Sequence, residues 1–324
     1  MNNYSKIIFI LKELIQNFSK KISKGIDNKP KENFIFDMIF GIMVASSCNI
    51  SNIARSLKEG ISLKALVKRL ARNLSEFNND KEDVSTYENV RNKIIFENYQ
   101  EIVKNKIDEN TVFCFDPGDI TKKYTTKFEN IDMIKDGSTG EIRPGYHMLE
   151  VAALTKKEKL PIPVYTSLFS VNEEKFVSMN DECLKAIKYL SNKYGKMGIY
   201  ALDRGFDDKK YFEEFSNLDL KFVIRMMKIR DITNSESNVT ENIKKKANRV
   251  KMKFSYNYKD KYGITQTAHA GYMKVKIPGI ENRTYYLVVI KNEEYKNQMY
   301  QNIYSLHIFL LYIDYHSNHQ KYLY

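Results

Sequence analysis

Val112-Phe113-Cys114-Phe115-Asp116-Pro117-Gly118-Asp119-Ile120 decides how the rest of the chain is read, together with a second stretch, Gly198-Ile199-Tyr200-Ala201-Leu202-Asp203-Arg204-Gly205-Phe206. Each is a short apolar run that stops at an acid. Runs of this length, rich in aromatic and β-branched residues and flanked by Gly or Pro, read as buried strands. An unpaired carboxylate at the end of such a strand is costly, so packing alone does not account for it. Side by side in one sheet, the two strands would set Asp116 next to Asp203. Two like charges at close range repel unless something positive lies between them. Hard oxygen donors suit Mg²⁺ or Mn²⁺. The same positions also suit ordinary turn and cap residues, and spacing alone does not choose between these readings.

The 324 residues are enough for two or three domains, and 43% hydrophobic content excludes a disordered chain. Lys plus Arg number 52 against 40 Asp plus Glu, a formal charge of +12, which favours a polyanionic partner, nucleic acid above all. The charge is uneven. Residues 1–75 carry 13 basic and 5 acidic side chains, residues 76–110 carry 5 and 9, and residues 221–276 carry 14 and 4. Two separate basic blocks suggest two contacts with a backbone.

Three cysteines, Cys48, Cys114 and Cys183, make neither a zinc pattern nor a disulfide framework, which fits a reducing cytoplasm. Lys12 and Glu13 interrupt the first apolar run, so no signal peptide is expected. Leu306–Ile313 falls far short of the roughly 18–20 apolar residues a membrane span needs, and no membrane partner is expected.

Helical spacing marks residues 4–25 and Phe34 to about Ser46. Asn49 or Ser51 can cap a short helix that Gly60 ends, and Ser62 can cap a longer one. In the longer helix Leu63, Leu66, Leu70 and Leu74 form one stripe, with Lys64, Lys68 and Arg72 beside it. This resembles a helix-turn-helix unit, and equally suits two amphipathic helices with a solvated basic face. Residues 76–110 read as an acidic helical connector.

From Thr111 the pattern turns to strands: one around Asp116, then Gly145–Leu154 and Ile162–Leu168. Helical spacing follows from Glu173 to Tyr194, then the strand ending at Asp203, a helix from about Lys209 to Asn217, and the strand Phe222–Arg225. That order implies an α/β domain with a mixed sheet. Residues 228–248 read as a polar loop, and residues 250–290 return to β, with a turn at Pro278-Gly279.

Several of these residues resemble a known family. Asp116, Asp119-Ile120, Lys122 and Tyr124, then Asp136-Gly137-Ser138, Gly145-Tyr146 and Leu202-Asp203-Arg204-Gly205-Phe206, are similar in order and spacing to bacterial insertion-sequence transposases of the insertion-sequence-four type. Phe222-Val223-Ile224-Arg225 resembles the strand after that family's second Asp. Ile53-Ala54-Arg55-Ser56-Leu57 and Lys68-Arg69-Leu70-Ala71-Arg72-Asn73-Leu74 resemble its N-terminal helical region. The resemblance covers roughly residues 35 to 291.

It implies a ribonuclease-H-like mixed sheet with an N-terminal helical domain and a β-strand insertion after the second Asp. The expected divisions are 1–110, helical and DNA-binding; 111–227, the catalytic core; 228–291, the basic β-rich insertion; and 292–324, an atypical tail outside the family frame. The implied activity is cleavage of double-stranded DNA at transposon ends and joining of the freed 3′ hydroxyl to a target, by a homodimer associated with the nucleoid of a bacterial cytoplasm. Two acids and a glutamate hold two divalent ions, about 3.5–4 Å apart in two-metal sites generally. Asp116 is the expected first acid, Asp203 the second, and Asp119 the rival for the first role.

The expected DNA-binding set is Arg55, Lys64, Lys68, Arg69, Arg72, Arg204, Arg225, Lys244, Lys245 and Lys246. A strand-end Arg is as often an ion-pair partner, and a Lys run is often a solvated loop. Gly118 stands where the family usually has Thr. The family's third acid lies in a helix patterned Tyr-x2-Arg-x3-Glu-x6-Lys, which is missing after Asp203; Glu281, Glu293 and Glu294 lack the Tyr and Arg partners. The expectation is a truncated or frameshifted copy, inactive or weak, with a non-catalytic DNA-binding remnant as the alternative. His147 reads as a sheet histidine, His316 and His319 as solvated, and Tyr256, Tyr258 and Tyr262 as sheet packing or base-stacking residues.

Overall fold

A computed structural model describes residues 3–26, 28–78, 90–125, 127–158, 160–260, 262–294 and 303–312. The chain divides into two compact units, Met1–Asn105 and Lys106–Tyr324.

The first unit is helical: α1 (Asn3–Ile22), α2 (Lys29–Ala45), α3 (Ile50–Leu57), α4 (Leu63–Asn78) and α5 (Val90–Lys104). Local chemistry sets the ends. Asn28 caps α2, with Pro30 in its first turn, and Asn49 caps α3 by accepting the Ser51 N–H at 2.9 Å. The short helix does not run to Gly60 as expected. Lys58 takes the left-handed position (φ 50°) that closes α3, and Gly60 lies in open space. Ser62 then accepts the Ala65 N–H at 3.3 Å and starts α4. Ile53, Ala54, Leu66 and Leu70 join Phe34 and Ile35 in one core. A Cβ on Gly41 would overlap Ile53, so this glycine is what lets α2 and α3 pack closely. Among the described residues no single helix is long and apolar enough to cross a membrane.

The second unit is a mixed α/β unit built on one large mixed sheet. Its first strands are β1 (Val112–Thr121), β2 (Asp132–Lys135), β3 (Ile142–Leu154) and β4 (Ile162–Phe169). After α6 (Met179–Tyr194) come β5 (Ile199–Leu202), α7 (Lys209–Leu218) and β6 (Phe222–Arg225). Lateral order in this part is β4-β3-β1-β5-β6. β3 runs antiparallel to β1 and β4, while β5 is parallel to β1 and β6 parallel to β5.

Alternation decides the faces. Phe113, Phe115, Leu149, Val151, Tyr200, Leu202, Phe222 and Ile224 are buried on one side. There Phe113 stacks on Tyr194 of α6 (5.6 Å) and Phe222 on Phe215 of α7 (4.8 Å). Gly198 opens β5 with φ +80°, and a Cβ there would meet the Phe113 ring at 2.6 Å.

Residues 228–248, expected to be a loop, contain β7 (Asp231–Asn234), β8 (Thr240–Asn242) and α8 (Ile243–Asn248). β7 and β8 form a short hairpin, Thr233 paired with Thr240, and β7 joins the sheet by distant pairing, Val275 with Asn234 and Lys276 with Thr233, which local composition does not reveal. β9 (Phe254–Lys259), β10 (Thr265–Ile277) and β11 (Ile280–Glu294) follow, with the expected turn at Pro278-Gly279. β12 (Ile303–Tyr312), from the segment expected to be an atypical tail, pairs with β11 on one side and β6 on the other.

Candidate functional site

Parallel pairing of β1 with β5 matches Val112 to Ile199, Phe113 to Tyr200 and Cys114 to Ala201. Carried two residues past its last pair, the same register would set Asp116 beside Asp203, the residue after β5. On the other side of β1, Asp116 is directly paired with Glu150 of β3. Beyond β5, the last pair is Leu202 with Ile224, and one step further would bring Asp203 to Arg225. Extended in this way, the registers would line up Glu150, Asp116, Asp203 and Arg225 on four neighbouring strands, which are spaced about 4.8 Å in a sheet. All four are exposed, whereas Leu149, Phe115, Leu202 and Ile224, one residue earlier on each strand, are buried on the opposite face.

The three acids of this row differ in their commitments. Asp203 caps the 3-10 turn Arg204–Phe206, its Oδ1 accepting the Gly205 N–H at 2.8 Å. The cap reading of Asp203 therefore holds, and its second oxygen remains outside that bond. Asp116 and Glu150 make no hydrogen bond or ion pair among the described residues, which leaves their carboxylates to solvent or a ligand. Glu150 is not among the residues expected from the sequence. Its signal is an acid within an apolar strand, on the alternation opposite to Leu149 and Val151.

Asp119 is not brought to this row. Three residues on from Asp116 along an uninterrupted ladder, it points to the other side, and its Oδ1 accepts the Gly137 N–H at 3.1 Å. Asp136 is buried in the same turn. It accepts bonds from the Ser138 N–H (2.9 Å), the Thr139 N–H (3.0 Å) and the Thr121 hydroxyl (2.9 Å). The Ser138 hydroxyl also donates to it, and that bond first, then the Thr121 hydroxyl and the backbone N–H groups, hold its carboxyl well below the usual carboxylate range.

The donors of the row are hard oxygens, the type a divalent cation takes. Among the described residues no group of three or more His, Cys, Asp or Glu converges closely enough to hold a metal ion. The arrangement fits such an ion as a pair of adjacent carboxylates with a third acid alongside, not as a closed cage. His147 packs its ring 5.9 Å from Phe169, as a sheet histidine, and His316 and His319 lie outside the described residues.

The basic candidates separate in the same way. Lys64, Lys68 and Arg72 are exposed on α4. Arg55 is exposed at the end of α3 and donates to Asn52 at 3.1 Å. Arg69 is held between Glu59 (2.5 Å) and Asp37 (2.9 Å); the hydrogen bond to Glu59 raises the guanidinium pKa, and burial raises that of Asp37. Lys244 and Lys245 are exposed on α8, but Lys246 is buried and paired with Glu241 at 2.8 Å. Arg204 is exposed beside Asp203. Arg69 and Lys246 thus serve internal ion pairs. A cleft of about 340 Å³ is lined by Asp207, Met227, Arg230 and Asp231; Asp207 is committed, being paired with Arg230 and accepting the Met227 N–H at 2.7 Å. The three cysteines are free thiols, and burial pushes Cys183 up to about 11.

No protein-family profile matches the chain, and no curated protein does. Among solved structures, the cryo-EM structure of a piggyBac transposase synaptic complex with hairpin DNA is similar over 92% of this chain, at 10% identity and a TM-score of 0.40. The chain spans 58% of the length of that transposase chain. No residue role here rests on that likeness.

Proposed function

We propose that the chain is a DNA transposase of the DDE type, cutting double-stranded DNA at transposon ends and joining the freed 3′ hydroxyl to a target. The observation that carries this reading is the parallel register of β1 and β5, which, extended two residues past its last pair, Cys114 and Ala201, would set Asp116 in mid-β1 beside Asp203 just after β5. The strand order β4-β3-β1-β5-β6 supports a ribonuclease-H-like core around them. Exposed Lys64, Lys68 and Arg72 support a backbone contact by the helical unit.

In this reading a water molecule or a 3′ hydroxyl attacks the scissile phosphorus, its proton leaves to solvent, and the P–O3′ bond breaks to release a 3′ hydroxyl. Asp116 and Asp203 hold the divalent ion, Mg²⁺ or Mn²⁺, whose role when bound is to neutralise the phosphate charge and acidify the attacking hydroxyl. Arg225, next in the row, faces the phosphate oxygens, and Arg204 stands at the same strand end. The protein acts as a dimer, one protomer for each DNA end.

The test is cleavage of an end-labelled inverted-repeat duplex in Mg²⁺ and then Mn²⁺. Metal-dependent nicking that disappears in Asp116→Ala and in Asp203→Asn supports the reading; nicking that survives both sinks it. A second reading, a non-catalytic protein that occupies transposon ends, is favoured by the lack of a converging three-donor group among the described residues. Salt-dependent binding of the duplex with no nicking in either metal selects it.

A further inference from the structure

Phe254, Tyr256 and Tyr258 alternate with Ser255 and Asn257 on β9, so their three rings share one face of the strand. β9 is an edge strand, paired only with β10 among the described residues. Opposite the three rings, β10 presents Ala270, Ala268 and Gln266. Two alanines across the ladder leave the rings without bulky cover, and Phe254 and Tyr256 are 40% and 45% exposed. The Phe254 ring lies 6.4 Å from Tyr272, nearly parallel at 13°, and the Lys253 ammonium sits 4.6 Å over the Tyr272 ring. Exposed aromatic rings on an edge strand are an aggregation hazard unless they have an occupant.

Charge identifies the occupant. Residues 250–277 hold Lys251, Lys253, Lys259, Lys261, Lys274 and Lys276 against one acid, Asp260. Asp260 is committed to the β9–β10 turn, accepting the N–H groups of Tyr262 and Ile264, each at 2.9 Å. Aromatic faces within a field of lysines match a nucleic-acid strand and mismatch an apolar peptide or a second basic copy of this chain. Rings at alternate strand positions, about 6.8 Å apart, receive bases only when those bases are not stacked in a duplex.

The same face leads to the acids. Tyr272 pairs with Val288, Val288 with Phe309, and Phe309 with Arg225, whose row continues to Asp203 and Asp116. Four strand steps separate Tyr272 from Asp203, about 19 Å at ~4.8 Å per strand. That distance is roughly five or six nucleotides of a B-form strand.

We propose that Phe254, Tyr256, Tyr258 and Tyr272, with Lys253, form a stacking track for unpaired bases of a DNA strand whose scissile phosphate lies at Asp116 and Asp203. The placement of the phosphate rests on the transposase reading; binding by the track does not. The track acts by base stacking and backbone charge, without sequence readout.

The test uses the full chain and fluorescein-labelled oligothymidine, with EDTA present so that cleavage plays no part. Replacing both Tyr256 and Tyr258 by Ser weakens oligothymidine binding by about tenfold or more, the scale of lost base stacking. Binding of a blunt duplex changes little, and the double Phe variant binds oligothymidine like the parent. Because the chain contains no Trp, Tyr256→Trp supplies a single reporter whose emission oligothymidine quenches. Unchanged oligothymidine affinity in the Ser variant, an equal loss on duplex, or an unquenched Trp overturns the track. Track binding without nicking refutes the catalytic reading alone, and nicking without track binding refutes the track alone.

Discussion

The two faces of the sheet carry opposite kinds of residue at adjacent positions. Phe115 is buried among Tyr200 and Phe206, while Asp116, the next residue, is exposed in a row of charges. Leu202 and Asp203 repeat the contrast, as do Ile224 and Arg225. On one face the rings of Phe113, Phe115, Tyr200 and Phe222 pack against other parts of the chain. On the other, Asp116 and Glu150 are paired across β1 and β3 and make no hydrogen bond or ion pair among the described residues. The difference teaches that exposure and lack of partners, more than residue type, mark the groups left available for chemistry.

The largest test of that contrast exchanges the two faces. If the proposed transposase activity holds, Asp116→Ala lowers metal-dependent cleavage by on the order of a thousandfold, the equivalent of several kcal/mol of lost transition-state stabilisation, while the thermal midpoint stays put. Asp203→Asn does the same, since Asn caps a turn as well as Asp. Phe222→Ala, on the committed face, has the reverse signature: about 3–5 kcal/mol lost in denaturant unfolding, because the ring is fully buried against Phe215, Phe212 and Tyr285. Equal stability losses in Asp116→Ala and Phe222→Ala would break the comparison.

A smaller effect separates committed from uncommitted acids. Asp136 has a folded-state pKa below its unfolded value of about 3.9. Its contribution to stability is therefore complete above that value and lost as pH falls through the lower folded-state value. Asp136→Asn flattens the acid limb of a stability-against-pH curve.

The smallest expected effect concerns neighbouring bases of α4. Lys68→Ala reduces the salt slope of DNA binding by about one and leaves stability alone. Arg69→Ala costs about 1 kcal/mol of stability by unpairing Glu59 and Asp37, and leaves the slope unchanged. A slope change from Arg69→Ala larger than that from Lys68→Ala would reverse their assigned roles.

Much of this architecture is legible in the residues themselves. The strands at 112–121, 142–154, 162–169, 222–225 and 265–277 announce themselves as apolar runs or alternations bounded by turn residues. The expectation that both apolar strands stop at an acid holds for β5, which ends at Leu202 before Asp203, and not for β1, which runs on through Asp116 to Thr121 in its ladder with β3. What local sequence does not carry is partnership at a distance. Arg69 looks like one more base on a helix until Asp37, 32 residues away, is found beside it. Lys246 looks like part of a solvated run until Glu241 takes it inside. Residues 228–248 look like a loop because their strands are three and four residues long, pair with each other, and join the sheet only where β7 meets β10. Glu150 escapes notice because one acid in a thirteen-residue strand reads as the solvent side of an alternation.

The place of β12 sets the timetable of folding. β12 lies between β6 and β11, and among the described residues no other strand pairing joins those two. As the chain leaves the ribosome, nearly eighty residues follow Arg225 before Ile303 emerges. Until then β6 and β11 both present open hydrogen-bonding edges, the surfaces that recruit a wrong partner. Tyr286, Val288 and Ile290 of β11 wait for the same strand as Phe222 and Ile224 of β6. β12, the last strand in chain order among the described residues, is thus the seam of the sheet, and the nascent chain carries two open edges until the seam closes.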